Sequence, residues 1–361
     1  MLGLYIHIPF CKKICNYCDF PKRIPLNNQM IDDYLKRLKE EFLLYQEYYH
    51  DIDTIYIGGG TPNSLNYNQM KYLFEIFKNL NNIKEYSIEL NSEYLDINKI
   101  KLLKEYKINR VSLGVQTFND KLLKLLNRSH NFEMVKDKIK LLRENNFNNI
   151  NLDFIFGIPF QKLEDVISDL NKIKKLNVEH ISYYNLILED KTVFNYLLKT
   201  NKIKLLEDDK EEEYFNYIIN YLTDIGYNHY EISNFSKNNK ECLHNLKYWE
   251  NKESIGIGMG ASGYLNHIRY SNNKLLSKYM KNYKLEEEFI DNEMKMKEEL
   301  ILGLRLLKGI DLNNFKKKYH KDYKDFNLDK YLDNLLEIKD NHLRFTRRGL
   351  MLGNIVFKEI I

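Results

Sequence analysis

The chain has 361 residues, of which 43% are hydrophobic, and its 55 basic and 51 acidic residues leave a net charge of +4. This composition suffices for a folded core and argues against a dedicated nucleic-acid surface. Four cysteines in a chain of this length do not suit a disulfide framework, and neither a signal peptide nor an apolar run of eighteen residues is evident, so we expect a cytoplasmic protein.

Short β-rich runs alternate with amphipathic helical patterns through the first half of the chain. A strand is predicted over residues 2–8, followed by a helix over about 28–48 with the apolar stripe Ile31, Leu35, Leu38, Phe42 and Tyr45. Further strands are predicted over residues 54–57, 86–90, 110–115, 149–155 and 180–188. Six βα units predict a parallel sheet, in which the working residues lie at the carboxyl ends of the strands.

The regular alternation stops after about Leu188. From about Glu293 the pattern indicates helices, a short strand over residues 342–345 and a last helix. We therefore predict an α/β protein with a partial (βα)6 TIM-like barrel and an α+β C-terminal region that ends in a small winged-helix-like segment. The predicted domains are a barrel over residues 1–190, a barrel-capping region over 191–292 and a small helical domain over 293–361.

Three cysteines, Cys11, Cys15 and Cys18, follow the first strand with C-x-x-x-C-x-x-C spacing. Three thiolates can hold three irons of a four-iron cluster, whereas electron-transfer clusters are ordinarily held by four cysteines. The fourth iron is then open to a ligand, as in catalytic metal sites. A zinc site with His7 or Cys242 as the fourth ligand is the alternative that spacing leaves open.

Polar or glycine residues follow the next strands in turn. The turn at residues 58–62 reads Gly-Gly-Gly-Thr-Pro, and glycine allows backbone to approach a ligand closely. Glu89 closes the third predicted strand, Gln116 follows the fourth, Arg128 and His130 follow the next helix, and Asp153 lies on the fifth strand. Any one of these residues could merely cap a helix or face solvent, but their recurrence at successive strand ends predicts a binding site.

These motifs resemble the radical S-adenosylmethionine (SAM) superfamily, in its coproporphyrinogen-oxidase-like branch. The resemblance rests on the cysteines, on the GGGTP turn and on residues 6–11, 110–116, 153–159 and 231–235. It implies a [4Fe-4S] cluster on the three cysteines with SAM on the open iron. It also implies contacts to SAM from Tyr5, Gly59 and Glu89, and contacts to SAM or a second SAM from Tyr17, Gly60, Thr61, Gln116, Arg128 and Asp153.

Two subfamilies of that branch fit the motifs, the HemN-type coproporphyrinogen III dehydrogenases and the HemW-type heme chaperones. The dehydrogenases resemble a motif with a further cysteine two places after the third, but Asp19 and Phe20 follow Cys18 here. They also carry a long arm before the cluster motif, whereas ten residues precede Cys11. Both features favour the HemW type, and oxygen-independent decarboxylation of coproporphyrinogen III is the alternative.

The segment Cys-Leu-His-Asn-Leu-Lys-Tyr-Trp at residues 242–249 resembles the H-N-x-x-Y-W signature of HemW-type proteins. Thiolate or imidazole can ligate heme iron, so Cys242 and His244 are predicted heme ligands. The other interpretation is a hydrogen-bonded buried histidine with Trp249 in the core, and His7 is a second, weaker candidate ligand. The resemblance implies heme as cargo, acceptor hemoproteins that are respiratory and reached through partners at the membrane, and a flavodoxin or ferredoxin as electron donor.

Overall fold

Six strands alternate with helices through the first half of the protein, in a computed structural model that describes residues 1–361. The strands are β1 (Leu2–Ile8), β2 (Ile52–Gly59), β3 (Glu85–Leu90), β4 (Arg110–Gln116), β5 (Ile150–Phe156) and β6 (His180–Asn185). The helices are α1 (Asn28–Leu43), α2 (Tyr67–Phe77), α3 (Ile97–Glu105), α4 (Asp120–Leu125), α5 (Phe132–Glu144) and α6 (Leu163–Leu176). All six predicted strands are present, and the α/β class is confirmed.

The second half of the chain is a mixture of short helices and strands. Its first part contains α7 (Val193–Lys199), α8 (Asp208–Asp224), β7 (Asn228–Glu231), β8 (Asn234–Ser236), α9 (Leu243–Trp249), β9 (Ser254–Ile257), β10 (Ser262–Leu265), β11 (Ile268–Asn272), α10 (Leu276–Tyr279) and β12 (Lys284–Phe289). Its last part contains α11 (Asn292–Gly303), β13 (Ile310–Asp311), α12 (Leu312–Tyr319), β14 (Leu336–Lys339), β15 (His342–Phe345) and α13 (Arg347–Ile360). This agrees with the α+β character predicted for the region.

One large sheet carries the structure. Its strand order is β12-β11-β10-β9-β1-β2-β3-β4-β5-β6-β8-β7. Strands β1 to β6 are parallel neighbours in chain order, and β9 pairs in parallel with β1 on the other side. The outer strands are antiparallel, and β7 and β12 form the two edges of an open sheet. The predicted partial barrel is therefore the observed architecture, with the carboxyl ends of β1 to β6 on one face.

Local sequence explains where the helices begin. Asn27 accepts a hydrogen bond from the backbone of Met30 at the start of α1, and Asn66 forms a capping box with Gln69 at the start of α2. The apolar stripe predicted for the first helix is buried, because α1 packs against α2 and the sheet. The strands are buried along most of their length, as expected of a parallel sheet covered by helices.

Most predicted boundaries differ from the observed ones by one or two residues, and two differ by more. The first helix ends at Leu43 and not at residue 48, because the backbone of Tyr45 leaves helical values (φ −108°, ψ 18°) before a separate short turn over Gln46–Tyr48. The sixth strand ends at Asn185 and not at residue 188. Its partner β5 ends at Phe156, where Gly157 turns the chain with a φ of +77°, so the ladder stops at the Phe156–Asn185 pair.

The C-terminal part has a hydrophobic cluster of its own. Thirteen buried residues between Met296 and Ile360 pack together around the three-stranded sheet β13-β15-β14. The strand predicted over residues 342–345 is β15, with those bounds. The residues at which domains begin and end stay a prediction. No helix of the protein combines the length and the apolar character needed to cross a bilayer.

Candidate functional site: a thiol-lined cavity at the carboxyl ends of the strands

A cavity of about 350 Å³ opens where the parallel strands end. The predicted site residues that line it are Cys11, Cys15, Tyr17, Cys18, Gly59, Gly60, Thr61, Glu89, Gln116, Arg128 and Asp153. Residues that are far apart in the sequence meet here because the carboxyl ends of neighbouring parallel strands share one edge. Tyr5 lies on β1 outside this lining, and Cys242 and His244 lie at the start of α9.

The three cysteines sit on the loop that follows β1. Cys11 is buried, and Cys15 and Cys18 are half-buried. The hydroxyl of Thr61 donates to Cys11 Sγ at 3.5 Å, and the guanidinium of Arg128 approaches Cys15 Sγ at 3.8 Å. Burial raises the pKa of Cys18 to about 11, against the opposing charge of Lys22. Binding of a metal that takes thiolates must therefore displace protons.

The thiols form one wall of the cavity, and no protein group completes them into a closed metal site. No set of three His, Cys, Asp or Glu side chains in the structure is arranged to hold a single metal ion. A four-iron cluster sets a different requirement, because each thiolate then binds a different iron. The donor set, three soft sulfur ligands without a carboxylate or imidazole among them, suits iron–sulfur chemistry.

The glycine-rich segment at the end of β2 holds a carboxylate at the cavity wall. The backbone N–H of Gly59 donates to Glu89 Oε2 at 3.1 Å, and the Tyr56 hydroxyl donates to Glu89 Oε1 at 3.0 Å. A Cβ on Gly58 would lie 2.9 Å from this carboxylate, so the close approach requires glycine. Burial, and secondly the charge of Asp153, raises the pKa of Glu89 to about 7.

Asp153 on β5 is the second carboxylate of the cavity. The hydroxyl of Ser112 donates to its Oδ2 at 2.6 Å, and the amide of Asn151 donates to its Oδ1 at 2.8 Å. Burial raises the pKa of Asp153, and these two donors oppose the shift. A carboxylate fixed by two donors is oriented before any ligand arrives.

Gln116 and Arg128 close the remaining side. Gln116 ends β4 with a φ of +63°, which is rare for a residue other than glycine, and its Oε1 is buried without a partner. Arg128 donates through Nη2 to Gly114 O at 2.7 Å and to Asn91 Oδ1 at 3.0 Å, while its Nε has no partner. Unpartnered buried polar atoms around a cavity are the positions at which a polar ligand is expected to bind.

The half-buried Tyr5 and the buried His7 form a hydrogen-bonded pair on β1. Nε2 of His7 lies 2.7 Å from the carbonyl of Pro21, and Nδ1 lies 2.9 Å from the Tyr5 hydroxyl. The carbonyl can only accept, so Nε2 carries the hydrogen and Nδ1 accepts from Tyr5. Burial lowers the pKa of His7 to about 4. His7 therefore supports the cysteine loop through Pro21.

Cys242 and His244 lie on and beside α9, at the amino ends of the strands and on the opposite side of the barrel from the cavity. Glu85 caps this helix, accepting from the backbone of Leu243 at 3.1 Å and of His244 at 3.0 Å. His244 Nδ1 lies 3.0 Å from the Thr54 hydroxyl, and Nε2 lies 2.9 Å from the Tyr248 hydroxyl. Cys242 and His244 are 2% and 1% exposed, so neither faces solvent in this arrangement.

Trp249 is half-buried, and the guanidinium of Arg305 lies 4.4 Å from its ring centroid. Arg305 in turn pairs with the fully buried Glu231 at 2.8 Å. The end of α9 is thereby attached to the C-terminal part, at the segment between α11 and β13.

Several residues of the cavity were absent from the sequence-based prediction. They are Lys13, Phe20, Lys22, Tyr56, Asn91, Tyr184, Asn185 and Ile187. Asn91 could have been found, because it directly follows the strand predicted over residues 86–90, whereas Asn185 lies inside the strand predicted over 180–188 although it closes the observed β6. Phe20 and Ile187 are 63% and 71% exposed, and an apolar side chain in a loop gives no sequence signal that it borders a cavity.

Comparison with known proteins agrees with this geometry. Residues 5–173 match the model of the radical SAM superfamily, and residues 290–352 match the HemN C-terminal domain. The structure superimposes on coproporphyrinogen III oxidase (HemN) from Escherichia coli, described as a radical SAM enzyme, with a TM-score of 0.85 over 99% of this chain and 89% of that one, at 23% identity. The fold and the site define a radical SAM protein.

Sequence relatives narrow the assignment. The chain is 39% identical to heme chaperone HemW of Lactococcus lactis, over 99% of this chain and 96% of the relative. It is 36% identical to heme chaperone HemW of Bacillus subtilis, over 99% and 98% respectively. The chain belongs to the HemW family.

Proposed function

We propose that this protein is a heme chaperone, which binds heme as cargo, passes it to acceptor hemoproteins and carries a [4Fe-4S] cluster with SAM as its ligand. The observation that carries the proposal is a cavity lined both by three thiols and by the half-buried carboxylates of Glu89 and Asp153. We take heme as the cargo because the HemW relatives are named heme chaperones.

Cys11, Cys15 and Cys18 would hold the cluster. When bound, a cluster on three thiolates supplies an open iron position and an electron. Thr61 and Arg128 steady the thiols from two sides through their contacts to Cys11 and Cys15.

The cavity walls would hold SAM. Glu89 and Asp153 offer negative charge to a molecule that carries a sulfonium cation, and the GGG turn offers backbone at close range. The unpartnered Oε1 of Gln116 and Nε of Arg128 supply one acceptor and one donor. Tyr5, Tyr17, Gly59, Gly60 and Thr61 complete the proposed set. The family resemblance also includes a second SAM, and the number of SAM molecules bound per chain tests for it.

The mouth of the cavity offers a place for heme. Phe20 and Ile187 border it with exposed apolar side chains, which suit the face of the heme macrocycle. Lys13 and Lys22 line the same cavity, and their ammonium groups can pair with the carboxylates of the heme. Ligation by Cys242 or His244, as the sequence predicts, requires α9 to leave its position, because both residues are buried there. Substitutions at the mouth of the cavity and substitutions of Cys242 and His244 distinguish these two candidate heme sites.

The acceptors are proposed to be respiratory hemoproteins, met at the membrane through partners, and a flavodoxin or ferredoxin is proposed to reduce the cluster.

The testing experiment is an anaerobic titration of cluster-reconstituted protein with hemin, followed by the Soret band and by gel filtration. We expect about one heme retained per chain, and no retained heme would move the assignment to the porphyrinogen enzyme.

A further inference from the structure

A continuous line of buried hydrogen bonds crosses the barrel from the cavity to α9. It runs from Asp153 through Asn151, His180 and Tyr230 to the backbone N–H of Cys242, with successive distances of 2.8, 2.6, 2.8 and 3.2 Å. The three side chains between its ends are 4%, 1% and 7% exposed. Water therefore does not compete for these groups.

The direction of every bond in this line is fixed by chemistry. The Asn151 amide donates to the carboxylate of Asp153, so its Oδ1 faces His180 Nδ1, which must carry the hydrogen. Burial lowers the pKa of His180 and keeps the ring neutral, so Nε2 accepts from the Tyr230 hydroxyl. The Tyr230 oxygen is then free to accept from the N–H of Cys242.

A second contact joins the same two places. The Tyr56 hydroxyl donates to Glu89 in the cavity wall, and its ring lies against the ring of His244 with 5.4 Å between centroids. Glu89 is thus connected to the start of α9 through Tyr56 alone. Asp153 is connected to it through three residues, Asn151, His180 and Tyr230. Because the interior is closely packed, a shift of either carboxylate must be accompanied by movement of the residues that connect it to α9.

We propose that binding of SAM at Asp153 and Glu89 is coupled to the order of the turn at residues 242–244, so that SAM tightens the start of α9. This rests on the proposed SAM site. SAM bound at Asp153 adds a further contact to a carboxylate that Ser112 and Asn151 already orient, and so restrains the motion of Asn151, His180 and Tyr230 as far as the N–H of Cys242. Coupling of this kind is reciprocal, so loosening the turn weakens SAM binding by the same factor.

Hydrogen exchange of the amides of Cys242, Leu243 and His244 tests the coupling, in cluster-reconstituted protein with and without saturating SAM. We expect SAM to slow their exchange about tenfold in the wild-type chain, within the usual range of coupling between sites. Tyr230→Phe removes only the hydroxyl of the line and should reduce the slowing to below about twofold and weaken SAM binding severalfold. The matched control is Tyr227→Phe, whose buried hydroxyl donates to Val178 O outside the line and should leave both values unchanged.

Cys242→Pro provides a second interruption should Tyr230→Phe fold poorly. It removes the terminal N–H, and the φ of −73° at this position already suits proline. Equal slowing in wild type and both variants would overturn the hydrogen-bonded line as the route of the coupling, and unchanged exchange in wild type at saturation would overturn the coupling itself. Equilibrium dialysis with labelled SAM is measured in parallel. Absence of SAM binding contradicts the proposed function, whereas binding without slower exchange contradicts only the coupling.

Discussion

The Tyr56 hydroxyl donates to Oε1 of Glu89 across 3.0 Å inside the barrel. This donor and the N–H of Gly59 stabilise the ionised carboxylate, yet burial is the larger effect and the pKa of Glu89 is raised to about 7. Glu89 therefore changes its charge in the physiological pH range while it faces the proposed SAM site.

We expect SAM to bind more weakly as the pH falls from 8 to 6. Below a pKa of about 7 Glu89 is protonated and loses its attraction for the SAM cation, and the ionised fraction drops roughly tenfold over this interval. The dissociation constant for SAM should rise by about the same factor. Equilibrium dialysis at each pH measures it, with the cluster content checked at each point.

Glu89→Gln should bind SAM weakly and without this pH dependence. Glu75→Gln on α2, outside the cavity, is the matched control and should behave as wild type. A pH dependence that survives in Glu89→Gln would show that another group is responsible.

A second prediction concerns the cysteines. Cys11→Ala, Cys15→Ala and Cys18→Ala should each lose the iron and the brown colour of the reconstituted protein while the chain stays folded, because each thiolate holds a different iron. Iron analysis and circular dichroism measure the two properties. Cys242→Ala is the control, since this thiol lies across the barrel, and it should keep its iron. Full iron retention in all three variants would disprove the cluster assignment.

The sequence predicted the elements that local patterns control. Alternation of apolar runs identified all six parallel strands, and the cysteine spacing with the GGGTP turn located the cavity, because strand ends adjacent in a parallel sheet must lie together. Boundaries failed where a single backbone angle decided them, as at Tyr45 after the first helix and Gly157 after β5.

The position of α9 could not be derived from the sequence. His244 forms a hydrogen bond with Thr54, which is 190 residues away in the sequence. The local sequence pattern does not predict a partner at such a separation. The same is true of Tyr56, which reads as an ordinary strand residue and yet joins Glu89 to His244. Long-range pairing of polar groups depends on the packed structure and is invisible to periodicity.

A third prediction separates the two functions that the branch contains. We expect cluster-replete protein with SAM, coproporphyrinogen III and a low-potential reductant to release no CO2. A coproporphyrinogen III dehydrogenase assayed in parallel provides the positive control. SAM-dependent CO2 release at a comparable rate would establish the enzymatic alternative.

A fourth prediction places the heme at the mouth of the cavity. Phe20→Asp and Ile187→Asp should each weaken heme retention about tenfold, since each removes an apolar contact of roughly 1.5 kcal/mol and adds a charge beside the macrocycle. Both residues are exposed, so folding should be unaffected. Val193→Asp, exposed on α7 but outside the lining of the cavity, is the control. Unchanged heme titrations in both variants would move the site elsewhere.

The last prediction concerns His244. Both ring nitrogens are in hydrogen bonds and burial lowers its pKa to about 3, so the neutral ring is a structural link between β2 and Tyr248. His244→Ala should lower the free energy of unfolding by about 3 kcal/mol, because it leaves a cavity and removes the partner of the buried Thr54 hydroxyl and of the half-buried Tyr248 hydroxyl. Urea denaturation of the cluster-free chain measures this value, and His50→Ala, whose side chain is 79% exposed, should change it little. In the folded His244→Ala protein we expect heme retention to persist. Loss of heme with the fold and iron content intact would instead show that α9 opens to expose an iron ligand, as the sequence motif predicts.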